Sequence, residues 1–307
     1  MMKSSSIERL LALRVFPGFR DVPAESISPL ARYAEDRMFE AGATILEEGS
    51  PVTRVHFVLE GQVKISRSGM PFRLIEPGQG FGALAALAQV QHGVTATAVE
   101  KTRTLELASR DLELVFLEHF DLLSATLRAL TKAVGAERRQ LPGGGYSPEI
   151  DEGDYPPLEM TLIERLVAYK NSLLIQNHRV DALAQLARSS TERRFEPGDA
   201  LWAQGELSPW VFHIVAGRVR YSGDDGVSFD FGAGGFVGAL DAMNVEGRRY
   251  QATAVAPTVA LAFHVGDLID ILEDHTYMAL DFVRGVAEDL FTVLGQRRRY
   301  AADDSPL

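Results

Sequence analysis

Short segments of alternating apolar and polar residues, separated by glycine turns, dominate two stretches of the chain. In the first stretch this period-two pattern predicts strands at residues 37–39, 44–46, 55–59, 62–65, 72–75, 95–99 and 104–107. Apolar residues at helical spacing precede the strands, at Ile7, Leu10 and Leu11 and again at Ile27 and Leu30. We therefore predict a β-roll or jelly roll of short strands flanked by helices, in the α+β or mainly β class.

Helices are also predicted after the glycine at position 82 and at the end of each stretch. Residues 83–88 predict a short helix, and residues 110–118 predict another with Ser109 as its N-cap. Two apolar stripes predict longer helices; they consist of Leu123, Leu127, Leu130 and Val134, and of Val283, Val286, Leu290 and Leu294. Each stripe either packs on its own roll or forms the seam of a homodimer, and the sequence leaves both alternatives open.

The whole pattern occurs twice, at a fixed offset of 156 residues. Residues 7–112 (the first repeat) correspond without a gap to residues 163–268 (the second repeat). This period is far longer than that of a solenoid repeat, so each repeat can bury a core of its own. We predict tandem domains at residues 1–139 and 158–307, joined by a linker at residues 140–157 that is rich in glycine, proline and acidic residues.

Composition excludes several classes of protein. The chain has 307 residues, 46% hydrophobic and 24% charged, which is ordinary for a soluble globular protein. Cysteine is absent, which excludes disulfides, a thiol nucleophile and cysteine-ligated metals. No apolar run reaches the length of a transmembrane helix and the first residues contain no apolar signal segment, so we expect a cytoplasmic protein without a membrane partner. The net charge of −11 argues against nucleic acid as a partner.

Glycine-containing motifs give both repeats a resemblance to a known family. The first repeat contains Phe39-Glu40-Ala41-Gly42, Glu48-Gly49 and the segment 55–63, and the second contains Phe195-Glu196-Pro197-Gly198, Gln204-Gly205 and the segment 211–219. With the segments that begin at Pro77 and Gly234, these motifs resemble the cyclic-nucleotide-binding domain of catabolite activator protein and of the regulatory subunit of cAMP-dependent protein kinase. The resemblance implies a phosphate-binding cassette, at residues 77–99 (the first cassette) and 234–255 (the second cassette).

The resemblance also implies which cassette residues would hold a nucleotide. In the family a glycine lets the backbone approach the cyclic phosphate, a glutamate directly after it accepts a hydrogen bond from the ribose, and an arginine pairs with the phosphate. The matching candidates are Gly82, Ala83, Leu84, Val94 and Thr95 in the first cassette, and Gly238, Ala239, Leu240, Arg248, Arg249 and Tyr250 in the second. Alanine occupies both glutamate positions, while Val94 and Tyr250 occupy the arginine positions.

The free energies of the two missing contacts are large compared with the binding free energy of a signalling ligand. A buried hydroxyl without its acceptor costs about 1–3 kcal/mol, and a phosphate without its cation costs about 2–5 kcal/mol. A micromolar ligand has only about 8 kcal/mol of binding free energy, so we expect neither cassette to bind cAMP or cGMP in the usual way. In the second cassette, Arg248 and Arg249 either take the vacant phosphate position or lie solvated in a loop, and Tyr250 offers a ring for stacking.

No arrangement of residues in the sequence resembles a catalytic or metal site. His56 and His213 lie in predicted strands at positions that do not correspond between the repeats, which favours structural roles. We expect Arg297, Arg298 and Arg299 to follow the last apolar helix. A basic run of this kind can bind nucleic acid or an acidic surface, but it also suits a helix C-terminus through the helix dipole, which we favour. The chain ends eight residues after Arg299, so we expect no helix-turn-helix and no DNA partner.

These observations lead to one main hypothesis and one alternative. We predict a non-enzymatic, bacterial-type signalling or scaffold protein without a cofactor, in which two degenerate cyclic-nucleotide-binding-like domains act through protein partners. The alternative is a receptor for a cyclic nucleotide or another small anion that uses an altered site in the second domain.

Overall fold

The computed structural model of the chain describes residues 4–16, 19, 22–67, 69–90, 93–138, 140–141, 150–172, 180–224, 226–244 and 247–303. The chain divides into two compact units, Met1–Leu127 with Val283–Phe291, and Arg128–Phe282 with Thr292–Leu307. The domain boundaries at residues 1–139 and 158–307 stay a prediction. Residues 142–149 of the predicted linker lie outside the described part of the chain.

Two four-stranded antiparallel sheets form the body of the first unit. Its elements are α1 (Ser6–Leu13), α2 (Ala24–Tyr33), β1 (Glu35–Phe39), β2 (Thr44–Leu46), β3 (Arg54–Glu60), β4 (Val63–Arg67), β5 (Met70–Ile75), β6 (Gly80–Phe81), α3 (Ala83–Leu87), β7 (Thr95–Ala98), β8 (Thr102–Ala108), α4 (Ser109–Glu118) and the beginning of α5 (Phe120–Arg138). The strand orders are β1-β8-β3-β6 and β2-β7-β4-β5. We call these eight strands the first roll.

The second unit repeats this architecture with its own eight strands, the second roll. Its elements are α6 (Leu162–Lys170), α7 (Val180–Ser189), β9 (Thr191–Phe195), β10 (Ala200–Trp202), β11 (Trp210–Ala216), β12 (Val219–Ser222), β13 (Ser228–Phe231), β14 (Phe236–Val237), α8 (Ala239–Asn244), β15 (Gln251–Ala254), β16 (Thr258–His264), α9 (Val265–Asp274) and part of α10 (Thr276–Asp303). The sheet orders β9-β16-β11-β14 and β10-β15-β12-β13 match those of the first roll strand for strand. The prediction of two tandem β-rolls with flanking helices is confirmed.

Irregularities of the strands recur at the same offset as the sequence. The register shifts between Thr44 and Leu46 in β2 and between Ala200 and Trp202 in β10. The turn after β11 requires glycine, because Gly217 has a φ of 97° and a Cβ there would lie 2.3 Å from the carbonyl oxygen of Pro257. Only glycine fits such a turn without strain.

The helices before each roll are held by equivalent polar contacts. Ser5 and Glu8 form a capping box on α1, and Thr161 and Glu164 form one on α6. α1 packs on α2 and α6 packs on α7, with one buried residue each, Leu13 and Tyr169. Arg165 donates to the carbonyl oxygen of Ser190 at 2.8 Å. The same tie in the first unit joins Arg9 to the carbonyl oxygen of Ala34.

Two features of the helices differ from the prediction. Ser109 is not an N-cap: α4 begins at this residue, its N-cap is Ala108, and the Ser109 hydroxyl donates to the carbonyl oxygen of Thr53 at 3.2 Å. Arg297, Arg298 and Arg299 lie inside α10 and not after it, since this helix continues to Asp303. No helix within the described ranges has both the length and the apolar character needed to cross a membrane.

The two apolar stripes lie on the long helices α5 and α10, as predicted. Buried members are Leu123, Leu127 and Val134 on α5 and Val283, Val286 and Leu290 on α10, whereas Leu130 and Leu294 are partly exposed. These side chains are buried within a single chain, so their burial does not require a second copy. A homodimer seam on them stays a prediction.

Candidate ligand sites

The first cassette contains a glycine whose surroundings exclude any side chain. Gly82 has a φ of 87°, and a Cβ there would lie 2.8 Å from the carbonyl oxygen of Arg54. The short helix α3 begins at Ala83, whose methyl group offers no hydrogen-bond acceptor. Both residues and Leu84 are partly exposed. The backbone of the cassette is thus preserved while the acceptor is missing.

The end of the first cassette provides one apolar and one hydroxyl side chain. Val94 packs against a buried cluster of aliphatic and aromatic residues, namely Val58, Val63, Ile65, Ile75, Phe81 and Ala96. The Thr95 hydroxyl accepts a hydrogen bond from the backbone N–H of Glu48 at 3.2 Å. The arginine position of this cassette is therefore part of an apolar cluster.

The second cassette keeps the same backbone but is bonded internally. Gly238 has a φ of 84°, and its N–H donates to the hydroxyl of Tyr221 at 2.7 Å. Burial raises the pKa of Tyr221, so the hydroxyl stays neutral. Ala239 is buried, and the side chain of Leu240 lies outside the described part. The cassette N–H that the resemblance assigns to an anion is already paired within the protein.

Arg248 is buried inside the second cassette and is not solvated. Only 1% of it is exposed, and its guanidinium donates from Nη1 to the carbonyl oxygen of Gly238 at 2.5 Å and from Nη2 to that of Trp210. The guanidinium carbon lies 4.3 Å from the ring centre of Trp202, in a cation–π contact. Burial lowers the pKa of Arg248, although an arginine remains charged at neutral pH. The arginine therefore occupies the cassette itself.

Tyr250 fills the interior of the second roll next to Arg248. The residue is 5% exposed, and its ring centre lies 5.1 Å from that of Phe229 and 6.2 Å from that of Tyr221. Trp202, which is 2% exposed, donates from its indole N–H to the carbonyl oxygen of Tyr250 at 2.9 Å. Tyr250 belongs to one buried aromatic cluster together with Tyr221, Phe229 and Trp202. The ring of Tyr250 is therefore part of the core.

The remaining candidate, Arg249, points toward the segment of α5 that belongs to the second unit. Its Nε lies 3.9 Å from Oδ1 of Asp241, and its Nη1 lies 1.9 Å from the position that a Cβ on Gly135 would take. In the same segment, the guanidinium carbon of Arg138 lies 4.9 Å from the ring centre of Phe229. Arg249 and Arg138 thus pack around the aromatic cluster and the cassette helix.

The two rolls differ most at positions that surround their cassettes. Residues equivalent by the 156-residue offset are aromatic in the second roll and aliphatic in the first: Trp202 and Leu46, Tyr221 and Ile65, Phe231 and Ile75, Tyr250 and Val94. Leu46 and Val94 are partly exposed, whereas Trp202 and Tyr250 are buried. The second roll is filled by its own side chains, and the first is more open at the matching positions.

Reasoning from the sequence missed the residues that fill the second roll and one cation beside the first cassette. Trp202 and Tyr221 read as ordinary strand residues, and only the comparison of equivalent positions marks them as larger than Leu46 and Ile65. Arg67 ends β4, and its Nε donates to the carbonyl oxygen of Gly93 at 2.6 Å. Its signal in the sequence was weak, since a basic residue beside a glycine is common in a hairpin.

The histidines and carboxylates do not converge on a metal site within the described ranges, where no group of three or more potential ligands occurs. His213 is fully buried between the rings of Tyr169 and Phe236, with centres 4.9 Å and 4.8 Å away. Burial lowers the pKa of His213 to about 3, so its imidazole is neutral. His56 stacks on Phe81 in the first roll. Both histidines take part in the packing of a roll.

Comparison with protein families settles what the rolls are. Residues 36–119 and 192–275, together more than half of the chain, match the cyclic nucleotide-binding domain. The chain belongs to this family. Domains of the family are non-catalytic, and their tandem arrangement indicates a regulatory or signalling role.

Similar proteins include a channel, a kinase regulatory subunit and a transcriptional regulator. A protein described as a potassium channel of Rhodopseudomonas palustris is 33% identical over 100 residues, which span 31% of this chain and 24% of that protein. The regulatory subunit of a cAMP-independent protein kinase A from Trypanosoma brucei is 20% identical, with coverage of 90% and 93% of the two chains and a TM-score of 0.37. The N-terminal domain of a transcriptional regulator from Streptomyces coelicolor is 25% identical, with coverage of 41% and 93% and a TM-score of 0.38.

Proposed function

We propose that this chain is a non-enzymatic regulatory protein whose two cyclic nucleotide-binding domains do not bind cAMP or cGMP in the usual way and act through contacts with a protein partner. The observation that carries the proposal is the occupation of the second cassette by Arg248 and Tyr250, which are 1% and 5% exposed. Ala83 and Ala239 at the acceptor positions support it, because neither side chain can pair with a ribose hydroxyl.

A nucleotide that entered the second roll would have to displace Arg248 first. Two hydrogen bonds from a charged donor are worth about 1.5–3 kcal/mol each, and the cation–π contact with Trp202 adds about 1 kcal/mol. The total of roughly 4–7 kcal/mol is most of the 8 kcal/mol or so that a micromolar ligand gains on binding. This cost also argues against the alternative of a receptor for a small anion in the second domain, since the cations offered to that anion are engaged by the protein.

Exposed apolar residues on the first helix of each unit support a protein partner. Ile7 and Leu11 on α1 are 70% and 61% exposed, and the equivalent Ile163 and Val167 on α6 are 74% and 49% exposed. Each pair is separated by one helical turn and so lies on one face of its helix. An apolar pair that is repeated in both units and left uncovered in the chain is typical of a contact surface.

Calorimetric titration tests the nucleotide part of the proposal. We expect no saturable heat from cAMP or cGMP with the full chain. The double variant Ala83→Glu, Val94→Arg returns an acceptor and a cation to the more open cassette and should gain affinity for cAMP. The matched variant Ala239→Glu, Tyr250→Arg should gain less, because Arg248 stays in place. Micromolar binding of either nucleotide by the unaltered chain would contradict the proposal.

Site-specific photocrosslinking tests the partner part. A photoreactive residue at Leu11 or at Val167 should give a discrete protein adduct in cells, since both side chains lie on the apolar faces. The same residue at Arg110, whose side chain is 85% exposed on α4, serves as the control and should give none. Equal adducts at all three positions, or none at any, would refute the contact surface.

A further inference from the structure

A cation lies beside the vacant arginine position of the first cassette, on the neighbouring strand. β4 and β7 pair antiparallel, with Val63 opposite Ala98 and Ser66 opposite Thr95. The next residues of the two strands are Arg67 and Val94. Directly opposed residues of an antiparallel pair share one face of the sheet. Arg67 therefore stands across from the position where the family carries its phosphate-binding arginine, and the equivalent residue of the second roll is Gly223.

The guanidinium of Arg67 is anchored through its Nε. Its Nε donates to the carbonyl oxygen of Gly93 at 2.6 Å, and its Nη2 lies 2.6 Å from the position that a Cβ on Gly93 would take. Only a glycine leaves room for this placement. No carboxylate of the described residues forms an ion pair with Arg67. A guanidinium fork matches the geometry of a carboxylate.

The side chains around the position opposite Arg67 are aliphatic, and two of them are partly exposed. Leu46 and Val94 are partly exposed and pack against the buried Ile65 and Ile75; we call these four residues the first cleft. The four equivalent positions of the second roll all carry aromatic side chains, and Trp202 and Tyr250 among them are buried. The first cleft offers aliphatic side chains without a hydrogen-bond donor or acceptor.

We propose that the first cleft binds a small carboxylic acid with an aliphatic body, with the carboxylate on the terminal amino groups of Arg67 and the hydrocarbon against Leu46, Ile65 and Val94. A sugar and a base would meet no polar partner there, because Ala83 has replaced the acceptor and the cleft is aliphatic. The chemistry of the site thus favours an amphipathic monoanion over a nucleotide. This inference goes beyond the proposed function and does not rest on it.

Calorimetric titration of the full chain with octanoate tests the site. We expect saturable binding at one site per chain. Hexanoate should bind about 15-fold more weakly, since each methylene is worth about fourfold in affinity. 1-Octanol, which lacks the charge, and inorganic phosphate, which lacks the hydrocarbon, should bind at least about 10-fold more weakly than octanoate.

Variants on the two faces of β4 locate the anion site. Arg67→Ala should weaken octanoate binding about 10- to 100-fold. Gly93→Ala should weaken it in the same direction with an unchanged melting temperature, because the added methyl group displaces only the end of a flexible side chain. Lys64→Ala removes the same charge from the exposed face of the strand and should leave binding unchanged.

The results separate this inference from the proposed function. Absence of saturable octanoate binding, equal affinity for octanoate and 1-octanol, or equal effects of Arg67→Ala and Lys64→Ala would overturn the inference. Micromolar binding of cAMP to the unaltered chain would overturn the proposed function whether or not octanoate binds. If cAMP displaces octanoate and Arg67→Ala abolishes both, the first cleft is a nucleotide site and both statements fail.

Discussion

Truncation of Arg248 measures how strongly the second roll depends on the cation in its cassette. Arg248→Ala leaves the carbonyl oxygens of Gly238 and Trp210 without their donors, at about 1–3 kcal/mol each. It also removes the contact with the Trp202 ring, which is worth about 1 kcal/mol. Burial disfavours the charge of Arg248, as its lowered pKa indicates. Removing the buried charge therefore restores part of the lost free energy of unfolding. We expect a net loss of about 2–4 kcal/mol in the free energy of unfolding.

Tryptophan fluorescence gives an assay that is specific for this unit. The chain contains two tryptophans, Trp202 and Trp210, and both belong to the second roll. Urea unfolding followed by their emission therefore reports on the unit that contains Arg248. The expected loss corresponds to a decrease of about 4–16 °C in the melting temperature, at roughly 2–4 °C per kcal/mol for a unit of this size.

Arg220→Ala is the matched control for Arg248→Ala. Arg220 lies on β12 with a half-exposed side chain and pairs with Asp230 through two contacts of 2.7 Å and 2.8 Å. The Arg220 side chain is 47% exposed but the Asp230 side chain is only 8% exposed, so the pair is partly buried and this variant should lose about 1–2 kcal/mol, less than Arg248→Ala. If Arg248→Ala costs no more than Arg220→Ala, the guanidinium does not hold the cassette together and the argument for a self-filled site is refuted.

Two further predictions concern the same unit. Gly217→Ala should destabilise this unit by about 2–4 kcal/mol, because the Cβ would lie 2.3 Å from a backbone oxygen at a φ of 97°. The control Gly205→Ala has a φ of 80° in open space and should cost about 1–2 kcal/mol. Equal melting temperatures of the two variants would contradict the turn geometry. His213 has a pKa lowered to about 3 by burial, against about 6.5 in the unfolded chain. As the pH falls below about 6.5, the imidazole takes up a proton in the unfolded state but stays neutral in the folded state. The free energy of unfolding should therefore decrease by about 2 kcal/mol between pH 7 and pH 5. His213→Phe should remove this dependence, and an unchanged pH profile would show that His213 is not its source.

Strands and turns were predictable because their determinants are local. Alternation of apolar and polar residues over a few positions places one face of a strand in the core, and a glycine at each turn permits a positive φ. Both signals occur twice, so each repeat supports the assignment of the other. Ser109 marks the limit of such reasoning, since its hydroxyl bonds to Thr53, far away in the sequence, and not to its own helix.

The contents of the cassettes were only partly predictable. Alanine at positions 83 and 239 and the lack of an arginine at positions 94 and 250 are visible in the sequence, and they already argue against the usual ligand. The sequence left Arg248 either solvated or in the phosphate position. The fold places it against two backbone carbonyls and the ring of Trp202, which is 46 positions away along the chain.

The sequence by itself thus determined the duplication, the two β-rolls, the family and the residue types at the glutamate and arginine positions of each cassette, because each of these depends on residue type and spacing along the chain. Only the tertiary structure decided what lies around these positions: aromatic rings and Arg248 fill the second roll, and in the first Arg67 bonds to Gly93 and Val94 packs on an aliphatic cluster. The physical reason is that the filling of a cavity depends on side chains that meet across strands distant in sequence, and register and packing bring these together.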